Sequence, residues 1–381
     1  MSGRLLRLAC TAAAAQVVLA PAVAPAPATA APGPQRPVAE LLTDLQRLYR
    51  QAEQATETYN ATEVALKEQR ARMGRLDREL AHARLTLEDS RVDAGRLARQ
   101  QYQGATSIPA YLRVLLARDP QQALDEGQVL GQLAREHAKT VGRLTDSEKQ
   151  RDELARKARK ALDAQLDLAQ RQRKQRDDVR ARLGQVERLL ASLNRDQLNA
   201  LAGFEQNGID AAQRQFMASG ALGTDRAPSA QGDRAVRYAV DQLGKPYVWG
   251  ATGPGAYDCS GLTSQAWIHA GTVIPRTSQE QWARLRHIPL RELRPGDLVI
   301  YFPEATHVAL YLGRGMVVQA PRPGARVKVS PIAANPVLGA VRPDPGGEPL
   351  KGYVPPRLPQ GSPKGSDQGY SSAAAPATAA R

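Results

Sequence analysis

Cysteine is almost absent from this chain. Its 381 residues include only two cysteines, Cys10 and Cys259. Cys10 lies within residues 1–30, where a basic start, a mostly apolar stretch and the small residues Ala28-Thr29-Ala30 predict a secretory signal that is removed on export. The exported chain then has one thiol, for which no internal disulfide partner exists. A chemical role is therefore the leading explanation for Cys259.

Long apolar runs and metal-ligand spacings are lacking as well. No segment after residue 30 has the length of a membrane span, so we expect an exported, soluble protein that is extracellular or associated with the cell envelope. The formal net charge is +14, mainly from arginine. In an exported protein this charge favours anionic wall polymers or lipid head groups as partners over nucleic acid, although a solvated basic helix face explains it equally well. One thiol and scattered histidines give no ligand pattern, so we expect no metal and no cofactor.

Glycine and proline are rare between residues 37 and 206. Apolar residues step by three and four there, beginning with Val38, Leu41, Leu45, Leu48, Ala52, Ala55 and Tyr59. A pattern sustained this long predicts a coiled-coil seam, with polar interruptions at Thr62, Gln69 and Ser90. A break at residues 104–109 predicts an elbow. We therefore expect an antiparallel coiled-coil hairpin in a monomer, because a parallel dimer of extended chains leaves the elbow unexplained.

The remainder of the chain divides into three parts by composition. Residues 207–231 lose the periodicity and gain small residues and proline, which predicts a linker. Residues 232–343 contain all of the tryptophans and predict a compact α+β domain. Residues 344–381 are rich in Gly, Pro, Ser and Ala, and we expect them to be disordered.

The surroundings of Cys259 favour a reactive thiol. Asp258 has the chemistry of an N-cap for a helix that begins at Cys259 and is stopped by Gly271. At a helix N-terminus, the dipole and the free backbone N–H groups favour the thiolate and lower the pKa of the thiol. The same N–H groups can stabilise an oxyanion.

A candidate general base lies on a predicted hairpin. His307 opens a predicted strand, a turn follows at Gly313-Arg314-Gly315, and Gln319 lies on the returning strand. With the turn centred near Arg314, paired residue numbers sum to about 628, so His307 comes close to Gln319. Gln319 can then fix the tautomer and orientation of the imidazole, as in other sets of nucleophile, base and orienting residue.

The region 232–341 resembles the NlpC-type cell-wall cysteine peptidases. Six matching blocks follow in order: PYVWG (246–250), YDCSGLTSQAW (257–267), IPRTSQEQW (274–282), LRPGDLVIYF (293–302), HVALYLG (307–313) and VVQAPRPG (317–324). The resemblance implies a papain-like α+β fold and hydrolysis of peptidoglycan stem peptides. In many members of the family the scissile bond joins D-γ-glutamate to a diamino acid.

The resemblance also implies roles by position. It makes Cys259 the nucleophile, His307 the base and Gln319 the orienting residue. It places Tyr247 beside the thiolate, and the following residues near the free amine and carboxylate of the stem peptide: Asp258, Ser260, Arg276 and Ser278. The third catalytic position is most often a second histidine, and a neutral amide there predicts activity with an altered pH profile. The usual Gly-Gly after the tryptophan is Gly250-Ala251 here, which predicts a slightly reshaped loop.

The helical region resembles, in pattern and order, the coiled-coil leaders of actinobacterial members of this family. Three roles remain open for it: a rigid spacer, a docking element for a membrane-associated divisome or transporter partner, or a cover over the cleft. Two other functions also remain open. One is an amidase or acyltransferase reaction on the same fold, and the other is a coiled-coil scaffold whose papain-like domain only binds the wall.

Overall fold

The computed structural model describes residues 36–104 and 119–358, and between these ranges only residues 112, 114 and 116. The predicted signal segment, most of the predicted elbow and the part of the tail after residue 358 lie outside the described residues. Within the described part of the chain, no helix combines the length and the apolar character that crossing a membrane requires.

Two long helices, α1 (Val38–Gly104) and α2 (Pro120–Ala191), pack side by side. The 67 residues of α1 span about 100 Å. Two of the predicted polar interruptions join the helices: Gln69 Nε2 donates to the Ala161 carbonyl at 2.8 Å, and Ser90 Oγ lies 3.1 Å from Ser147 Oγ. Because the residue number falls on α2 as it rises on α1, the helices are antiparallel. The predicted helical hairpin is confirmed.

A third helix, α3 (Arg195–Ala218), follows a short turn. It begins with a capping box in which the Asn194 side chain accepts from Gln197 N and the Gln197 side chain accepts from Asn194 N. Residues 207–218, predicted as linker, are therefore helical. Their order comes from contacts that periodicity does not reveal: Phe216 packs on the sheet of the following domain, and Gln213 donates to the Gly315 carbonyl. We refer to α1, α2 and α3 together as the helical leader.

The second region is an antiparallel sheet with helices on one face. Its elements are α4 (Ala230–Asp241), α5 (Cys259–His269), α6 (Ser278–Arg284), β1 (Arg286–Ile288), β2 (Leu298–Tyr301), β3 (His307–Gly313), β4 (Met316–Gln319), β5 (Lys328–Pro331) and β6 (Val337–Arg342). The strand order is β1-β6-β2-β3-β4-β5, with antiparallel pairing throughout. The predicted α+β, papain-like domain preceded by an all-α hairpin is confirmed.

Strand β3 shows how the sheet separates two cores. Val308 and Leu310 pack with α4 and α5, whereas Ala309 and Tyr311 face the other side, where α3 packs. This alternation follows from the period of two along a strand. The strand that begins with His307 is thereby held between the helix bearing Cys259 and the leader.

The beginning of the predicted disordered tail is ordered on the domain. Asp344 is buried, accepts a hydrogen bond from Ser229 Oγ and pairs with Arg294 at 3.0 Å. Leu350 N donates to the Pro228 carbonyl at 2.8 Å. The segment is anchored by one buried carboxylate, that of Asp344, with two donors. A single residue of this kind does not alter the Gly- and Pro-rich composition, so the composition does not indicate these contacts.

Candidate active site

The candidate nucleophile, Cys259, is the first residue of α5. Asp258 is the N-cap, and its Oδ1 accepts a hydrogen bond from Gly261 N at 2.6 Å. Cys259 is only 3% exposed, and its sulfur accepts a hydrogen bond from the backbone N–H of Val308. The thiol therefore faces the start of β3, where His307 lies.

The candidate base and its neighbour lie on adjacent strands in the predicted register. His307 is the first residue of β3 and Gln319 is the last residue of β4, and Leu310 pairs with Val318, whose numbers sum to the predicted 628. His307 Nε2 lies 2.7 Å from Gln319 Oε1. An amide oxygen can only accept, so this contact holds the imidazole proton on Nε2 and leaves Nδ1 as the basic atom.

An ion pair lies directly beside the thiol. Arg276 donates to both carboxylate oxygens of Asp258, at 3.0 and 2.6 Å, and to Ser260 Oγ at 2.8 Å. Asp258 is fully buried. The bidentate geometry makes this a strong pair that fixes the orientation of both side chains.

Two further predicted residues complete the surroundings. Ser278 begins α6 after the N-cap Thr277, and its backbone N–H donates to Glu57 Oε2, a carboxylate that also contacts the thiol. Tyr247 belongs to the same buried cluster as Cys259. Burial raises the pKa of Tyr247 well above its ordinary value, with the nearby acidic groups adding to the effect, so its hydroxyl remains protonated. The structure thus places all the sequence-predicted site residues around one point.

A carboxylate from the leader fills this site. Glu57 of α1 is 1% exposed. Its Oε1 accepts from Ser260 Oγ at 2.7 Å and lies 3.9 Å from Cys259 Sγ, and its Oε2 accepts from Ser278 N at 2.7 Å. The leader therefore takes up two hydrogen-bond donors of the site, the Ser260 hydroxyl and the Ser278 N–H.

The same face of α1 contacts the site one turn earlier and one turn later. Glu53 Oε1 lies 3.5 Å from His307 Nδ1, and Asn60 Nδ2 donates to Asp258 Oδ2 at 3.1 Å. Spacings of four and three residues place Glu53, Glu57 and Asn60 on one helix face. Each of the three contacts a different member of the predicted site.

The thiol is not activated in this arrangement. Burial raises the pKa of Cys259 well above its ordinary value, and the charges of Glu57, Asp258 and Glu53 raise it further against the opposing Val308 N–H. The sequence-based prediction that the helix N-terminus lowers the pKa of the Cys259 thiol is therefore wrong for this closed arrangement. Burial beneath α1 and three carboxylates outweigh the helix dipole.

The imidazole is neutral as well. Burial lowers the pKa of His307 to about 4, with the Gln319 hydrogen bond and the charge of Asp258 opposing the shift. A protonated thiol and a neutral imidazole are the resting partners here, rather than a thiolate and an imidazolium. The site is assembled but covered.

Burial also changes the pKa of Glu57. Desolvation first, and then the charge of Asp258, raise the pKa of Glu57 to about 7, while hydrogen bonds from Ser260 and Ser278 and the charge of Arg276 oppose the shift. A carboxyl group in this position is close to half protonated at neutral pH. The contact that covers the thiol therefore depends on proton concentration.

Sequence reasoning missed Glu53, Glu57 and Asn60. A signal exists in their spacing, because Ala52, Ala55 and these polar residues form adjoining stripes on α1. Polar stripes on helices ordinarily face solvent, however, so the pattern alone does not reveal burial. Only the structure shows that the stripe lies against Cys259.

Comparisons with known proteins agree with the geometry. Residues 244–339 match the model of the NlpC/P60 family. A "probable endopeptidase" of Corynebacterium glutamicum is 48% identical over 95 residues, which are 25% of this chain and 46% of that protein. A "probable endopeptidase" of Mycobacterium tuberculosis is 27% identical over 356 residues, covering 80% of this chain and 90% of that protein.

A third relative carries a more specific name. The peptidoglycan endopeptidase RipB of Mycobacterium tuberculosis is 38% identical over 128 residues, covering 29% of this chain and 53% of that protein. The chain spans less than half the length of the Corynebacterium glutamicum relatives that it matches.

Proposed function

Because residues 244–339 are an NlpC/P60 domain, we propose that this chain is a cysteine peptidase that hydrolyses the stem peptides of peptidoglycan. The observation that carries the proposal is the position of Cys259. It lies at a helix N-terminus and accepts a hydrogen bond from the backbone N–H of Val308, the residue after His307, whose tautomer is fixed by Gln319. The peptidoglycan endopeptidase named among the relatives supports the choice of substrate.

The geometry supports an acyl-enzyme mechanism. His307 takes the proton of the Cys259 thiol at Nδ1, and the sulfur attacks the carbonyl carbon of the scissile amide. Free N–H groups at the start of α5, together with the protonated Tyr247, stabilise the oxyanion. His307 then gives its proton to the leaving amine, and water hydrolyses the thioester to release the acid and restore the thiol. Gln319 holds the imidazole in position throughout.

The groups that hold the leader also suggest how the substrate binds. Glu57 shows that the Ser260 hydroxyl and the Ser278 N–H accommodate a carboxylate beside the thiol. Asn60 shows that Asp258 accepts an N–H donor there. A stem peptide offers both groups on the acyl side of the bond between D-γ-glutamate and the diamino acid, which is the bond that we propose is cleaved.

The leader acts as an inhibitor of the enzyme it precedes. Glu53, Glu57 and Asn60 occupy the catalytic histidine, the region of the thiol and the N-cap Asp258, so substrate and leader exclude each other. Cleavage requires α1 to move away. An unregulated wall hydrolase endangers the cell that makes it, which gives such a cover a purpose.

Export and partner binding complete the proposal. Residues 1–30 direct secretion to the cell envelope, and the hairpin contacts a membrane-associated partner of the divisome or transporter kind that withdraws α1. Large apolar side chains exposed far along the hairpin, such as Leu85 and Val129, support partner binding. A secreted protein whose N-terminus begins after Ala30 supports export, and retention of residues 1–30 in the cell-envelope fraction contradicts it.

The test uses the full chain and defined muropeptides, with products identified by mass spectrometry. Four proteins are compared: the parent, a release variant carrying Glu57→Ala and Asn60→Ala, the release variant with Cys259→Ala, and the matched control Glu68→Ala. Glu68 is an exposed glutamate of the same helix. We expect the release variant to cleave at least about tenfold faster than the parent and the control. The two substitutions remove hydrogen bonds between α1 and the domain, each of about 1–3 kcal/mol, and so favour the open state.

The outcome separates the alternatives. Products cut between the second and third stem residues, and absent with Cys259→Ala, support the endopeptidase. Products cut at the sugar–peptide junction indicate an amidase instead. A release variant that binds muropeptides and cleaves none of them contradicts a catalytic function.

A further inference from the structure

A second arginine flanks the catalytic pair, on the side opposite Arg276. Arg322 lies three residues beyond Gln319, the last residue of β4. Its side chain is 11% exposed and binds Glu205 of α3 in a bidentate ion pair, with Nη1–Oε1 at 2.8 Å and Nη2–Oε2 at 3.0 Å. Its guanidinium lies 4.8 Å from the centre of the Tyr49 ring of α1. The domain thus presents a formed carboxylate-binding group whose carboxylate comes from the leader.

A cavity of about 810 Å³ is lined by this arginine and by Gln319, the hydrogen-bond partner of His307. Its walls include Gln319 and Arg322 from the domain, and Glu53, Arg50 and Glu205 from the leader. The volume falls in the range of roughly 300–1,000 Å³ that is usual for ligand pockets. The cavity wall therefore includes both Gln319, the partner of His307, and Arg322.

The chemistry of the reaction decides which part of the substrate belongs there. The general acid must reach the leaving nitrogen, so the leaving group lies on the histidine side of the thiol. The acyl side is already occupied by the groups around Asp258 and Arg276. Gln319 and Glu53 line the cavity and both contact His307, so the cavity lies on this histidine side, roofed by α1 and α3.

We propose that Arg322 is a specificity-determining residue that binds a free carboxylate on the diamino acid of the leaving group. This inference rests on the proposed function. When α1 withdraws, the substrate carboxylate displaces that of Glu205 and takes its place on the planar guanidinium fork. A diamino acid whose side chain ends in both an amine and a carboxylate fits this site, whereas one whose carboxylate is amidated offers no anion for it.

The arrangement of the leader supports this assignment. Glu57 occupies the carboxylate position beside Arg276, and Glu205 occupies the carboxylate position at Arg322. The leader therefore places one acidic side chain on each side of the catalytic pair. Both lie where the proposed substrate carries a carboxylate.

The test measures kcat and KM in the full-length release variant with two stem tetrapeptides. The peptides are identical except that the diamino acid has a free carboxylate in one and a carboxamide in the other. Into this background we introduce Arg322→Ala, Arg322→Lys and two controls. Glu205→Ala removes the leader's partner and keeps the arginine, and Arg291→Ala removes an exposed arginine elsewhere on the domain.

We expect the background to prefer the free carboxylate at least about tenfold in kcat/KM, mainly through KM, because a charged bidentate contact is lost with the amide. Arg322→Ala should abolish the preference and leave the amide peptide within about twofold, and Arg322→Lys should restore part of it, as a point charge does. Both controls should keep the full preference. Melting temperatures establish that each variant is folded.

Two results overturn the inference while leaving the proposed function intact. One is a preference that survives Arg322→Ala, and the other is an equal loss on both peptides, which indicates a merely structural role. Failure of the background to cleave either peptide contradicts the proposed function itself and removes the inference with it.

Discussion

The proximal part of α1, residues 38–60, and its distal part, residues 61–104, share a composition and a heptad-like pattern but differ in what surrounds them. The proximal part buries Glu53, Glu57 and Asn60 against the papain-like domain. The distal part packs against α2 and leaves apolar side chains such as Leu85 and Tyr102 exposed. The proximal part therefore buries polar side chains and the distal part exposes apolar ones, and both are the reverse of an ordinary surface helix.

Under the proposed function, the proximal part is the part of the leader that holds the enzyme inactive. Burying a carboxylate is unfavourable unless it is fully hydrogen-bonded, and its pKa then rises. The raised pKa values of Glu53 and Glu57 indicate that the proximal contact is weaker than an apolar contact of the same area would be. Separating such a contact therefore requires less free energy than separating an apolar contact of the same area. The described distal part buries no carboxylate, and apolar packing with the hydrogen bonds of Gln69 and Ser90 joins it to α2.

The largest expected difference between the two parts of α1 is in their effect on the reactivity of the Cys259 thiol. We expect iodoacetamide to modify Cys259 in the release variant at least about 100-fold faster than in the parent, because opening exposes the sulfur and each unit by which its pKa falls increases the thiolate tenfold. The rate is measured by mass spectrometry of intact protein. The distal control Glu68→Ala should react at the parental rate, and equal rates in all three proteins would show that α1 does not cover the thiol in solution.

A second prediction separates packing from inhibition. Leu45 lies in the proximal apolar cluster with Leu201, and Leu80 lies in a distal cluster with Ala158. Leu45→Ala and Leu80→Ala should each lower the local free energy of unfolding by about 2–4 kcal/mol, since each leaves a cavity in a buried seam. Hydrogen exchange of the hairpin measures both losses.

Only the proximal substitution should also raise muropeptide cleavage by the full chain. Leu45 lies about two turns before Glu53, so its loss loosens the part of α1 that covers the site. An equal gain from Leu80→Ala would mean that the hairpin acts as one rigid unit, and the distinction between its two parts would be wrong.

The fold and the positions of the candidate catalytic residues were predictable from the sequence for a physical reason. Helices and hairpins leave local marks: Asp258 caps the helix of Cys259, and the turn at Arg314 sets the register that brings His307 to Gln319. The leader's role leaves no local mark, since Glu57 lies about two hundred positions before the thiol that it covers. Its function depends on a long-range contact, which spacing along one helix does not encode.

The same reasoning explains the two misplaced boundaries. Residues 207–218 have the composition of a linker, and their helix is held by Gln213 and Phe216 packing on the sheet. Residues 344–350 have the composition of a tail, and Asp344 anchors them. In both segments tertiary contacts override a local signal.

A third prediction concerns pH. The pKa of Glu57 is about 7 in the closed arrangement, above the roughly 4.3 of a solvated glutamate. The closed state therefore binds more protons than the open state between these values, and closure weakens as pH rises through this window and is constant above it. Asp258 and Arg276 of the domain and Glu53 of α1 are the charged groups nearest this carboxyl.

We expect the ratio of parental to release-variant activity to rise up to about tenfold between pH 5 and 7.5, where one pKa unit corresponds to about 1.4 kcal/mol. Taking the ratio removes the titration of the catalytic pair itself. In Glu57→Gln the ratio to the release variant should vary much less with pH. A parental ratio that falls as pH rises would show that Glu57 binds in its charged form.

The smallest effect is expected at the distal surface. Leu85 is 68% exposed and Val129 is 57% exposed, so neither contributes appreciably to the seam. Leu85→Ser and Val129→Ser should each change the free energy of unfolding by less than about 0.5 kcal/mol, and the rate of Cys259 alkylation should stay at the parental value. Thermal melting and intact-mass kinetics measure the two quantities. A faster alkylation in either variant would mean that the distal surface restrains α1 even without a partner, and inhibition would then be a property of the whole hairpin rather than of Glu53, Glu57 and Asn60.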